Sequence, residues 1–181
     1  MPETVPASPR ANAIIAAARQ ILESEGREAL TMRRLGEAVG IRAPSLYKHF
    51  PDKAAVEVAI INDAFEAFTS TLEAAVADGG DSLASLAAAY RAFARAHPHL
   101  YRLVTAGPLP RERLRSGVER RAAAPIQRAA GDPDLARAIW AFAHGMVILE
   151  LDSRFPADAN LDAAWAAGID AFARESRPDP L

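Results

Sequence analysis

The sequence contains no cysteine, which excludes disulfide bonds and thiolate metal sites and fits a reducing cytoplasm. Long apolar runs are also missing: the stretch 138–149 contains His144 and is too short to span a bilayer. The first residues, MPETVPASP, lack the basic start and the apolar core of a secretion signal. These absences predict a cytoplasmic protein with no membrane partner.

Motifs for catalysis and metal binding are missing as well. The sequence has no Gly-rich phosphate loop, no nucleophile elbow and no zinc-type ligand spacing. Metal sites in helical bundles use a glutamate three residues before a histidine, but here those positions hold Leu46, Ala94, Ala96 and Ala141. We expect no catalytic residue, no metal and no cofactor. An enzyme is an alternative that turnover of a candidate ligand would support. A metal site formed by His97 and His99 is a second alternative.

The sequence instead predicts an all-α protein. Half of its residues are hydrophobic, alanine is abundant, and no segment shows the sustained alternation of a strand. Residues that commonly cap helices precede several of the helical segments: Ser8, Thr31, Asp132 and Asn160. We expect a three-helix helix-turn-helix domain over residues 9–53 and a larger helical domain over residues 54–176.

The N-terminal part has the pattern of a helix-turn-helix unit. An apolar stripe predicts a first helix that ends at Gly26: Ile14, Ile15, Ala18, Ile21 and Leu22. A short second helix begins after Thr31 and stops at Gly40. A third is predicted from about Arg42 to Phe50. Two short helices joined at a glycine, after a longer helix, are typical of DNA-binding proteins.

The third of these helices exposes an unusual number of hydrogen-bond donors. Leu46 and Phe50, four residues apart, lie on one face and would anchor the helix to the domain core. The outward or sideways residues are then Arg42, Ala43, Ser45, Tyr47, Lys48 and His49. Residues 31–53 carry five basic and two acidic side chains. Such a helix suits phosphate oxygens and base edges of double-stranded DNA.

Residues 10–55 resemble the N-terminal domain of TetR-family transcriptional regulators. The resemblance rests on Val39-Gly40-Ile41, on the run Ser45-Leu46-Tyr47-Lys48-His49-Phe50, and on the following Asp52-Lys53. It implies that Thr31 and Arg33 contact phosphate, that residues 42–45 (Arg42, Ala43, Pro44 and Ser45) read bases, and that Tyr47, Lys48 and His49 hold backbone or base edges. Lys53 would bind a phosphate at the start of a long fourth helix, predicted over residues 53–78.

The last two helices of the sequence are apolar on nearly all sides, which indicates burial on nearly all sides. Together with the resemblance, this predicts a homodimer through that pair of helices. The interface residues would be Leu151, Leu161, Trp165, Gly168, Ile169 and Phe172. An ordinary core within one chain is the alternative. A charged helix is expected before them, from Arg111 to about Ala130.

Aromatic residues on several alanine-rich helices predict a pocket for a small apolar effector. The expected lining is Phe65, Phe68, Tyr90, Phe93, Leu100, Tyr101, Val104, Trp140, His144 and Val147. The segment Trp140 to Gly145 also resembles the ligand-binding domain of some TetR-family members. The sequence thus predicts a repressor that an effector releases from its operator. Rings that only fill the core, and a regulator without a small-molecule effector, are the alternatives.

Overall fold

A computed structural model describes residues 8–77 and 83–176 of the chain. These residues form helices connected by turns, with no strand among them. The helices are α1 (Pro9–Glu25), α2 (Met32–Ala38), α3 (Ala43–Tyr47), α4 (Lys53–Ala77), α5 (Leu83–Ala96), α6 (Pro98–Thr105), α7 (Val118–Ala130), α8 (Pro133–Leu151) and α9 (Leu161–Glu175), with a 3-10 turn at Arg111–Arg113. The all-α prediction is confirmed.

The caps predicted from the sequence are present. The side chains of Ser8, Thr31 and Asn160 each accept a hydrogen bond from a backbone N–H three residues on, at the starts of α1, α2 and α9. Asp132 accepts hydrogen bonds from the backbone N–H groups of Asp134 and Leu135 at the start of α8. Each bond satisfies a donor that the first helical turn leaves unpaired.

Two expected helices are shorter than predicted. The third was expected over Arg42–Phe50, but α3 covers Ala43–Tyr47 and continues as a turn in which Phe50 N–H still donates to Leu46. The charged helix was expected from Arg111, but α7 begins at Val118. Gly117 has a positive φ of 74°, and Arg115 N–H donates to the side chain of Asn62, not to a helical carbonyl. The predicted end of the fourth helix at residue 78 lies outside the described residues.

The chain forms two compact units. The first comprises the chain through Phe65 together with His97–Val118, and the second comprises Glu66–Ala96 together with the chain from Glu119. The functional boundary that we predict at residues 53 and 54 stays a prediction, because units of packing need not be units of function. Helix α4 is continuous through residues of both units.

Each unit has its own apolar core. In the first unit the buried face of α1 is the predicted stripe of Ile14, Ile15, Ala18, Ile21 and Leu22. In the second unit α5, α8 and α9 pack on one another, with Tyr90, Val147, Trp165 and Ile169 buried among them.

Candidate nucleic-acid interface and candidate effector site

Helix α3 is seated on α2 through a glycine. Gly36 is buried, and a Cβ there would lie 3.1 Å from the carbonyl oxygen of Ile41 and 3.9 Å from Leu46. The Ile41 N–H donates to the Gly36 carbonyl at 3.0 Å. The missing side chain therefore lets the turn after α2 approach closely. The sequence pattern did not single out Gly36, because its importance depends on what packs against it.

The two predicted anchors of α3, Leu46 and Phe50, are buried. The residues predicted to face DNA are exposed: Arg42, Ala43, Pro44, Ser45, Tyr47, Lys48 and His49. Tyr47 is 49% exposed, which is unusual for a large aromatic side chain. The structure thus brings these seven residues together on one solvent-facing stretch. We call it the reading surface.

Two arginines of α2 are already paired with carboxylates of the same chain. Arg33, a predicted phosphate contact, lies 3.2 Å from Glu37. Arg34, which the sequence did not single out, donates to Glu25 at 2.8 Å, and this hydrogen bond raises the pKa of the guanidinium. Both pairs are exposed, so each is weak. Any phosphate that binds these arginines competes with their carboxylates.

The α1–α2 loop is joined to the start of α4. Arg27 donates to both oxygens of Glu57, each at 2.9 Å, and these bonds raise the pKa of Arg27. Lys53 donates from Nζ to the carbonyl oxygen of Arg27 at 2.8 Å. Arg27 thus joins the α1–α2 loop to α4 through both its side chain and its backbone.

The predicted effector residues are divided between the two units. Phe65, Leu100, Tyr101 and Val104 belong to the first. In the second, the ring of Phe68 contacts Tyr90 and Phe93 edge to face, with centroids 5.3 Å apart in each pair. These three rings form the aromatic cluster of the second unit.

The remaining predicted effector residues lie on α8. Trp140 is 52% exposed and stacks on His144 at 6.1 Å between ring centroids. Burial lowers the pKa of His144, which favours the neutral imidazole. Val147, one turn further on, is fully buried. Trp140 and His144 therefore form an aromatic pair that is partly exposed to solvent.

Several residues predicted for a dimer interface pack inside their own chain. Trp165 and Ile169 are buried, and Phe142 contacts both Trp165 and Phe172 at 5.7 Å between ring centroids. Leu151, Leu161 and Gly168 are partly buried. The large apolar side chains that α8 leaves exposed are Trp140 and Leu149.

A charged cluster that the sequence did not reveal joins α5, α8 and α9. Arg91 pairs with Glu150 at 3.0 Å and with Asp162 at 2.6 Å. Trp165 donates from its indole nitrogen to Glu150, and the Arg91 guanidinium lies 5.6 Å from the centre of the indole ring. No local sequence signal marks these partners, because they are 15 to 71 residues apart.

Metal binding and membrane insertion find no support in the described part of the chain. Over residues 8–77 and 83–176, no three histidine or acidic side chains are grouped so as to hold a metal ion. Every helix in the same ranges is too short or too polar to cross a bilayer.

Two models of protein families match this sequence. Residues 14–60 match bacterial regulatory proteins of the tetR family, and residues 83–172 match the tetracyclin repressor-like C-terminal domain. Together the two matches cover most of the chain.

Individual proteins are similar to the chain over long stretches. The uncharacterized HTH-type transcriptional regulator Rv0681 of Mycobacterium tuberculosis is 29% identical over 159 residues, or 81% of this chain and 72% of that protein. The nucleoid occlusion factor SlmA of Aliivibrio fischeri is 33% identical over 115 residues, or 60% of this chain and 59% of that protein. The solved structure of the multidrug binding protein EbrR, complexed with imidazole, shares the fold, with a TM-score of 0.67 and 22% identity over 96% of this chain and 98% of that one.

Proposed function

The chain belongs to the TetR family of DNA-binding transcriptional regulators, and on that basis we propose that its reading surface binds the major groove of an operator. As the sequence predicted, the protein is a regulator and not an enzyme. The operator is double-stranded DNA, so we also propose that the protein works in the cytoplasm.

The orientation of α3 is the observation that carries this proposal. The helix buries Leu46 and Phe50 and turns its polar residues to solvent. Among the described residues, Arg42 and Lys48 have no carboxylate within ion-pair distance, unlike Arg33 and Arg34. Their charges are therefore available to an anionic partner without a competing ion pair.

We propose the contacts of this surface and of the neighbouring phosphate-binding residues from the family resemblance. Arg42, Ala43, Pro44 and Ser45 would lie against bases, where the methyl group of Ala43 suits the methyl group of thymine. Tyr47, Lys48 and His49 would hold backbone or base edges. Thr31, Arg33 and Lys53 would contact phosphates and so set the position of the protein on the duplex.

Selection from random double-stranded oligonucleotides tests the operator proposal. The enriched sequence should bind the parent protein with an affinity that falls steeply with salt, because phosphate contacts release counterions. Tyr47→Ala and Lys48→Ala should each weaken binding while the fold is retained. Arg174→Ala, an exposed cation of α9, is the control. Parent-like binding by both reading-surface variants would refute the assignment.

We further propose that the protein is a homodimer through α8 and α9. The support is an exposed apolar side chain of α8, that of Leu149, which is 41% exposed. Two subunits would present their α3 helices to half-sites about 34–36 Å apart or at a somewhat larger spacing. The selected operator should then be an imperfect palindrome.

Gly145 offers a clean test of the dimer. It lies on α8, one turn from Leu149, and among the described residues a Cβ there would meet nothing within 4 Å. Gly145→Leu should therefore leave the subunit folded and weaken association, as measured by sedimentation over a range of concentrations. The dimer proposal fails if the parent protein sediments as a monomer.

The finer regulatory proposal is a repressor released by a small apolar effector. In the second unit, Phe68 and Phe93 stay partly exposed beside the buried Tyr90, and Trp140 with His144 adds a half-buried aromatic pair. EbrR, a multidrug binding protein solved in complex with imidazole, gives a precedent on the same fold. Rings that only fill the core would make the same contacts between Phe68, Tyr90 and Phe93. Binding experiments therefore distinguish an effector pocket from a simple core.

An effector releases DNA only if its affinity for the conformation that cannot bind DNA is higher than its affinity for the conformation that can. Helix α4 is the natural lever because it begins at Lys53 and carries Phe68 further along. A shift at Phe68 would then alter the position of Lys53.

A screen of apolar compounds tests this regulatory proposal. An effector should raise the melting temperature and release the selected operator, and Phe93→Ala should weaken both responses. A protein controlled by its level or by a protein partner is the alternative. A broad screen without any response would favour that alternative.

A further inference from the structure

Glu57 is a charged residue on α4 that is only 8% exposed. A buried carboxylate without partners is strongly unfavourable. Both of its oxygens are satisfied by the guanidinium of Arg27, at 2.9 Å each. This two-bond geometry uses the planar fork of arginine, which lysine cannot reproduce.

Lys53 lies one turn before Glu57 on the same helix. Helical lysine and glutamate residues at this spacing commonly pair, and Lys53 Nζ forms a loose ion pair with Glu57, 3.8 Å from its Oε1. Its hydrogen bond goes instead to the backbone carbonyl of Arg27, at 2.8 Å. An ammonium group has three donors, so this bond leaves donors free for another acceptor.

From this geometry we propose that Arg27 is a positioning residue for Lys53 in DNA binding. Its side chain makes both hydrogen bonds to the carboxylate that Lys53 would otherwise approach more closely, and its carbonyl oxygen accepts a hydrogen bond from the ammonium group. The inference rests on the proposed operator binding, in which Lys53 contacts a phosphate.

Packing on the other side of the loop keeps the joint in place. Gly26 has a positive φ of 85°, and a Cβ there would lie 3.4 Å from the ring of His99 on α6. This packing against α6 does not involve the Arg27 side chain. A change confined to that side chain should leave the local fold intact.

Arg27→Met removes the guanidinium group and keeps a long aliphatic side chain. Glu57 would then draw Lys53 inward, away from DNA. We expect operator binding to weaken by about three- to tenfold and the slope of log affinity against log salt to fall by about one for each subunit. Arg19→Met, at a loosely paired arginine of α1 (3.8 Å from Glu23), is the matched control and should bind like the parent.

The double variant Arg27→Met with Glu57→Gln gives the decisive measurement. Without the carboxylate, Lys53 is free again, so affinity and salt slope should return to near the parent values. If Arg27 were itself the phosphate contact, the double variant would stay as weak as Arg27→Met. If Arg27→Met alone does not fold, the double variant still decides, and binding well below the parent would overturn the proposal.

Lys53→Ala separates this inference from the proposed function. Parent-like binding by Lys53→Ala would overturn the role of Arg27, since there would be no contact to position. Loss of binding in Tyr47→Ala and Lys48→Ala would show that the reading surface still holds DNA. If neither surface variant weakens binding, the proposed function itself fails.

Discussion

The ring of Phe142 lies directly over Gly168, so that a Cβ added at Gly168 would overlap the ring. Phe142 also packs edge to face against Trp165 and Phe172. The glycine on α9 is thus needed by an aromatic residue of the same chain. The sequence predicted Gly168 as a dimer-interface residue, and its contact with Phe142 lies within one chain.

Gly168→Ala should therefore destabilise the fold by about 1–3 kcal/mol, the usual range for an overpacked core. Urea unfolding measures the loss. Gly145→Ala makes the same change on α8 in open space, and there we expect a gain of about 0.5–1 kcal/mol, because alanine favours a helix interior. Equal stabilities for the two variants would contradict the contact with Phe142.

The two carboxylates that bind Arg91 should differ in importance. The Glu150 side chain is 7% exposed and that of Asp162 is 88% exposed. Glu150→Gln leaves the partly buried Arg91 less well compensated and should cost about 1–3 kcal/mol. Asp162→Asn, which breaks an ion pair at the surface, should cost under about 1 kcal/mol. Thermal and urea unfolding of both variants check the order, and a reversed order would count against a buried role for Glu150.

Glu37→Gln should strengthen DNA binding. Glu37 pairs with Arg33 at 3.2 Å, and breaking the pair frees the arginine for phosphate. The expected gain is about two- to fivefold on operator and random DNA alike, the size of one exposed ion pair. Glu175→Gln, on α9, is the control for net charge. In an Arg33→Gln background the gain in affinity should disappear. A gain that persisted there would come from the change in the protein's net charge and not from the freed Arg33.

His144 should make stability depend on pH. Burial lowers the pKa of His144 in the folded state, whereas the unfolded chain takes up the proton near the ordinary value of about 6.5. The unfolded state then binds more protons as pH falls below that value, so stability is full above it and declines below it. Urea unfolding at pH 7.5 and 5.5 should show a smaller decline for His144→Gln than for the parent. An equal decline in both would mean that His144 does not contribute.

Local features of the fold were readable from the sequence for a physical reason. A cap needs only a side chain and a backbone N–H three residues away, so Ser8, Thr31 and Asn160 could be identified without tertiary information. The buried stripe of α1 and the anchors Leu46 and Phe50 follow from helical periodicity in the same way. The start of α7 could not be predicted, because Asn62, 53 residues away, takes the N–H of Arg115.

The sequence by itself determined the helical class, the helix-turn-helix, the outward face of α3 and the family resemblance, since each depends on spacings of a few residues. Tertiary structure alone decided which arginines are paired and which apolar residues face their own chain. Arg27 meets Glu57 across 30 residues and Arg91 meets Asp162 across 71, and Trp165 is buried while Trp140 stays exposed. Helical periodicity gives the direction of a side chain on its own helix, but its partner depends on how distant segments pack.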